Sequence, residues 1–262
     1  MSLTDRLQGL LFFPVTAFDR AGRADLGAFR AHVRTGLDAG AGAVFACCGT
    51  GEFWALGLDE YEDLVRAAVH ETDGRVPVVA GVGHGLPIAA QFAAAAARAG
   101  ADGLLAMPPY LAVGTQPGLR DHYRRLADES ALDVIVYQRD NAVFTPETVA
   151  DLAAHERIVG FKDGLGDLDL MRRIVAEVRT RHGDGALHYF NGMPTAEMTS
   201  QAYKAVGVPS YSSAVFCFAP DIALAYHRAY TSGDDATAAR LLDGFFTPYV
   251  DLRRQGGGGV VA

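Results

Sequence analysis

The sequence predicts an α/β chain folded as one closed (β/α)8 TIM barrel, on three observations. Short apolar runs alternate with longer stretches of helical period. Eight such runs recur at intervals of about 25–30 residues, the length of one βα unit. The 262 residues also suit a single barrel, a fold that fills about 200–250 residues.

The runs are Leu10–Val15, Ala43–Cys47, Val76–Ala80, Gly103–Met107, Val134–Tyr137, Ile158–Phe161, Leu187–Phe190 and Val208–Tyr211. Their hydrophobicity is nearly continuous instead of alternating, as expected of parallel strands covered on both faces. Between them, Asp25–Asp38 sets Leu26, Phe29, Val33 and Leu37 at helical spacing, and Asp59–Glu71 does the same with Tyr61, Leu64, Val65 and Ala68. Further helical stretches begin near Pro87, Pro117, Thr145, Asp167 and Thr195. Thr145-Pro146-Glu147 combines a capping hydroxyl, a proline in the first turn and an acid beside the helix dipole. Eight units favour a closed barrel over an open doubly wound sheet. No composition break marks a second domain, so residues 1–250 are read as one barrel domain. The segment 251–262, with four consecutive glycines after Gln255, is read as a flexible tail.

Composition narrows the function classes. Lys and Arg number 23 against 31 Asp and Glu, a net charge of −8. That balance argues against a nucleic-acid footprint and against a polybasic membrane surface. The three cysteines, Cys47, Cys48 and Cys217, form neither a disulfide framework nor a zinc-ligand spacing. The N-terminal stretch lacks the long apolar region of a signal peptide, and the alanine run Ala93–Ala97 is too short for a bilayer span. A reducing, cytoplasmic setting is expected.

Active sites of such barrels form at the C-terminal ends of the strands. Lys162 closes the run Ile158–Phe161. Among apolar groups an ammonium is disfavoured, and the neutral amine can capture a ketone as a Schiff base. The other reading of Lys162 is an outward side chain paired with Asp163. Tyr137, at the end of the preceding run, is placed to move protons for such an amine, or is a core tyrosine. Gly49-Thr50-Gly51 is a small-residue turn whose backbone N–H groups can cradle a carboxylate, or a plain tight turn. Ser212 and Ser213 end the last run, as substrate-binding hydroxyls or solvated turn serines. Asn191 either bonds a substrate hydroxyl or turns the chain before Gly192.

Other motifs point nowhere. Gly81-Val82-Gly83-His84-Gly85 lacks the dinucleotide-binding spacing, and no P-loop, H-E-x-x-H or G-x-S-x-G pattern occurs. No metal site and no cofactor are expected. Cys47 and Cys48 read as small strand residues.

Phe13-Pro14-Val15-Thr16, Gly49-Thr50-Gly51-Glu52, Tyr137 and Gly160-Phe161-Lys162-Asp163 fall in order on the first, second, fifth and sixth runs. In this the chain resembles the Schiff-base barrel family of dihydrodipicolinate synthase and N-acetylneuraminate lyase, from about residue 8 to 245. Within it, Tyr137–Ala142, Gly160–Asp167 and Tyr211–Phe216 are most similar to a branch that removes water and CO2 from a six-carbon keto-diacid. The resemblance implies Lys162 as the Schiff-base lysine and Tyr137 as the acid/base phenol. It gives Thr50 and the Gly49–Gly51 backbone the keto-acid carboxylate, and Asn191, Ser212 and Ser213 the rest of the substrate. Synthases carry a hydroxyl residue where Gly49 stands and an arginine where Ala142 stands; here Arg139, nearer the strand end, joins the substrate-binding set. Both departures favour the dehydratase branch over the synthases. A pyruvate-releasing keto-sugar-acid aldolase and a non-catalytic keto-acid-binding barrel remain the alternatives. The resemblance further implies a homodimer or homotetramer, with Tyr110 reaching a neighbouring subunit, no metal or organic cofactor, and a C-terminal helical extension that is incomplete in this chain.

Overall fold

The computed structural model describes residues 2–111 and 113–255. All eight apolar runs contain strands: β1 (Leu11–Phe12), β2 (Ala43–Ala46), β3 (Val78–Val82), β4 (Gly103–Ala106), β5 (Asp133–Gln138), β6 (Ile158–Asp163), β7 (His188–Asn191) and β8 (Ser210–Ser213). Each pairs in parallel with the next, and β1 pairs with β8, so the sheet closes as a barrel in sequence order. The strands are buried on both faces, which is why the runs carry so little alternation. Ala43 and Phe45 point into the barrel with Leu11, Phe13, Val79, Leu105, Ile135, Tyr137 and Phe190. Val44 and Ala46 point outward into the layer between sheet and helices. Neighbours along a strand thus serve two different cores.

A short α1 (Leu3–Arg6) precedes the barrel, and the expected helices follow: α2 (Leu26–Ala39), α3 (Leu58–Thr72), α4 (Leu86–Ala99), α5 (Gln116–Glu129), α6 (Pro146–Ala153) and α7 (Leu168–His182). Asp25, Thr115, Thr145 and Asp167 cap α2, α5, α6 and α7 by accepting hydrogen bonds from first-turn amides. The stretch near Thr195 is weaker than its pattern suggests: a 3-10 turn, Ala196–Thr199, leads into the short α8 (Ser200–Ala205). The chain then continues through α9 (Pro220–Ser232), α10 (Asp235–Leu241), a π turn (Leu242–Phe246) and α11 (Thr247–Gln255).

Two features differ from the sequence reading. The short α1, capped by Ser2 and Asp5, closes the N-terminal end of the barrel, where Leu3 and Leu7 join the interior cluster. The segment expected to be a loose tail from residue 251 is helical through Gln255. There Val250 is buried, and Arg253 donates from Nη1 to Thr195 Oγ1 at 2.7 Å, tying α11 to the loop after β7. The rest of that expected tail, 256–262, lies outside the described residues.

Candidate active site

A cavity of about 860 Å³ opens at the C-terminal end of the barrel. Lys162 and Tyr137 stand side by side in it, because their Cα atoms are register partners on β5 and β6. The Lys162 side chain is 5% exposed, with Nζ 4.0 Å from the Phe13 ring centroid and 4.5 Å from that of Tyr137. Burial strips water from the ammonium and lowers its pKa to about 7; the positive charge of Arg139 pushes the same way. Cys48 opposes the shift only as a thiolate, and burial pushes its own thiol up to about 12. The amine is therefore largely free of a charged partner, and near neutrality a substantial fraction of it is uncharged.

Tyr137 is buried and donates from its hydroxyl to the carbonyl oxygen of Gly192 at 3.1 Å. Burial raises its pKa, so the phenol holds its proton at neutral pH. Two glycines make room for the pair. A Cβ on Gly164 would stand 2.9 Å from the Tyr137 hydroxyl oxygen, and one on Gly192 would stand 2.5 Å from Lys162 Cε.

The strand alternation sorts the remaining candidates. Lys162 and Phe190 face inward, so Asp163 and Asn191, register partners of each other, face outward. Asp163 is not the partner of Lys162. Its carboxylate accepts from Gln138 Nε2 (2.8 Å), the Leu165 and Gly166 amides (3.1 and 3.2 Å) and the Tyr203 hydroxyl. That buried hub ties the ends of β5 and β6 to α8. Asn191 is likewise structural, which corrects its expected contact with substrate. Its amide donates to Ala196 O (3.1 Å) and Thr199 Oγ1 (2.9 Å) and its oxygen accepts from the Met193 amide (3.1 Å), shaping the turn after β7.

The two serines divide in the same way. Ser212 lines the cavity. Ser213, expected beside it, is fully buried behind the strand, where it donates to Glu197 Oε1 at 2.5 Å and accepts from the Phe216 amide. In the turn after β2, Gly49 and Thr50 line the cavity. Gly51 lies behind them, and its carbonyl accepts from Thr16 Oγ1 at 2.6 Å. Arg139 overhangs the Tyr137 ring, Cζ 5.6 Å from the centroid, and donates from Nε to Asp140 at 2.6 Å.

Sequence reasoning missed Phe13 as the ring beneath the amine, and it missed Glu52 and His84 on the cavity wall. It also missed the spacing role of Gly164 and Gly192. A glycine directly after a strand end was the available signal for both. Among the described residues, no group of three or more His, Cys, Asp or Glu side chains is placed to hold a metal ion. No helix among them is long and apolar enough to cross a membrane.

A closed parallel barrel with a desolvated amine and a phenol at its C-terminal mouth defines a class: barrels equipped to capture carbonyl compounds through lysine. The chain belongs to the dihydrodipicolinate synthetase family, whose profile matches residues 6–246. A protein of Streptomyces avermitilis named probable 5-dehydro-4-deoxyglucarate dehydratase 1 is 63% identical over 97% of this chain and 81% of its own length. The Streptomyces coelicolor protein of the same name is 61% identical over 97% and 80%. Among solved structures, dihydrodipicolinate synthase from Bacillus clausii superposes with a TM-score of 0.88 at 26% identity, covering 98% of this chain and 85% of that one.

Proposed function

We propose that this chain is a Schiff-base lyase that converts 5-dehydro-4-deoxyglucarate to 2,5-dioxopentanoate, water and CO2. The observation that carries the reading is the Lys162 amine, buried in the barrel mouth with its pKa lowered to about 7 and the Tyr137 ring 4.5 Å away. The names of the Streptomyces relatives support the choice of substrate.

In this reading the neutral amine attacks the ketone, and the carbinolamine loses water to give an iminium. The iminium withdraws electrons and acidifies the neighbouring methylene. Loss of that proton gives an enamine, which expels the β-hydroxyl as water. Release of CO2 and hydrolysis of the imine free the product and regenerate the amine. Tyr137 carries protons to and from the carbinolamine oxygen. Thr50 and the Gly49 backbone hold the carboxylate beside the ketone, and Ser212 and Arg139 face the rest of the substrate. The iminium formed on Lys162 is the electron sink, so no step calls for a metal or organic cofactor.

Turnover of 5-dehydro-4-deoxyglucarate, with CO2 and dioxopentanoate measured together, tests the reaction. Equal yields of the two support it, whereas pyruvate among the products identifies an aldolase instead. Borohydride reduction with substrate present should add a substrate-derived mass to the peptide bearing Lys162. Absence of that adduct makes the barrel a non-covalent keto-acid binder.

The exposed Trp54, Tyr110, Leu111 and Val113 favour a homodimer or homotetramer, with Tyr110 as a contact to the neighbouring subunit. Sedimentation of the purified protein tests that assembly. The three free thiols suit a reducing, cytoplasmic compartment.

A further inference from the structure

We propose that Gly49 and Arg139 act as one specificity device: the missing side chain at position 49 leaves a berth across the mouth for the Arg139 guanidinium, which takes the far carboxylate of a keto-diacid. The inference rests on the reading of Lys162 as the Schiff-base residue and extends it to the choice between diacids and monoacids.

The geometry comes from two distant strand ends. Arg139 opens a tight turn just after β5, closed by the Ala142 amide donating to the Arg139 carbonyl at 2.9 Å. Asp140 in that turn adopts a left-handed backbone, φ 48°. Its carboxylate takes the Arg139 Nε–H, so one edge of the fork is occupied. The Nη1 end reaches across to the turn after β2, where a Cβ built on Gly49 would lie 3.8 Å away. That is ordinary contact for a methyl group. A further side-chain atom, about 1.5 Å beyond Cβ, would compete with the guanidinium for the same space.

Charge explains why the berth matters. A keto-diacid brings two carboxylates into a mouth that already holds Glu52 and Asp140. Of the Lys and Arg side chains on the described cavity wall, Lys162 is committed to the imine, and Arg139 remains. Arg139 is two-fifths exposed, lies over the Tyr137 ring and shares the cavity wall with the amine. A guanidinium there offers paired donors to a carboxylate several bonds from the imine carbon. A keto-monoacid such as pyruvate has no group to use it.

The test compares two ligands on the full chain: KM for 5-dehydro-4-deoxyglucarate, and the half-saturating pyruvate concentration for borohydride trapping at Lys162. Arg139→Met and Gly49→Thr are each expected to raise the diacid KM by about tenfold or more, the loss of a charge-assisted contact. Pyruvate shares the Lys162 amine and the Gly49–Thr50 cradle but has no far carboxylate, so its value should rise by a smaller factor than the diacid KM in both variants. Gly49→Ala, whose methyl fits, should fall between the unsubstituted protein and Gly49→Thr. The double variant should be little worse than either single change, because both remove one interaction. Equal weakening of diacid and pyruvate in Gly49→Thr, or an unchanged diacid KM in Gly49→Thr or Arg139→Met, overturns the inference while leaving Lys162 in place. Failure of the unsubstituted protein to trap either ligand overturns the Lys162 reading and this inference with it.

Discussion

The Lys162 side chain fills the volume that a side chain on Gly192 would need: a Cβ there would stand 2.5 Å from Lys162 Cε and 2.8 Å from Cγ. The glycine sits one residue past β7, and its carbonyl also accepts the Tyr137 hydroxyl. One position therefore packs against Lys162 and accepts the Tyr137 hydroxyl. Gly192→Ala should displace the amine and lower kcat/KM by about 10²-fold, the scale on which misplacement by an ångström acts. Steady-state kinetics with a circular-dichroism check of folding measures this; wild-type activity in a folded variant would show that the lysine has another route.

The lowered pKa of Lys162 sets a pH profile. Below about 7 the amine is mostly ammonium and cannot attack; above it the neutral form dominates. The plot of log kcat/KM against pH should rise with unit slope and level off near pH 7, if the free amine limits capture. A rising limb near the ordinary lysine value of 10.5 would place the amine in water.

In the proposed mechanism, Tyr137→Phe removes the proton carrier while keeping the ring that lies 4.5 Å from the amine. Turnover should fall by about 10²–10⁴-fold, the usual worth of a positioned acid/base group. Borohydride trapping at Lys162 should persist on a slower time scale. Unchanged turnover would reassign the phenol to packing alone.

Glu197 is a second buried titratable group, placed behind the barrel wall. Ser213 donates to one of its carboxyl oxygens, and the other, Oε2, has no hydrogen-bond partner among the described residues. Burial raises its pKa from 4.5 to about 7. The folded pKa lies above the unfolded one, so its contribution to stability is complete below about pH 4.5 and is lost as pH rises through about 7. Glu197→Gln cannot ionise. The variant should be no more stable than the parent at pH 5 and more stable at pH 8, with a swing of about 3 kcal/mol at most. Chemical denaturation at the two pH values reads the swing, and equal differences at both would show that this carboxyl does not titrate in the fold.

The sequence by itself determined the barrel and its central pair. Strand and helix periods are local, and eight βα repeats leave closure as the economical way to bury every strand on both faces. Lys162 and Tyr137 were legible because each ends an apolar run. Tertiary structure alone decided the phase of each strand. Ser212 and Ser213 are equivalent in sequence, yet one lines the cavity and the other bonds Glu197; Asn191 turned outward because Phe190 fills the interior. A two-residue alternation does not by itself state which face is inside. The reach of Arg139 to Gly49 and the seat of Lys162 beside Gly192 were equally hidden. Those distances join segments far apart in the chain, and they exist only once the barrel closes and packs.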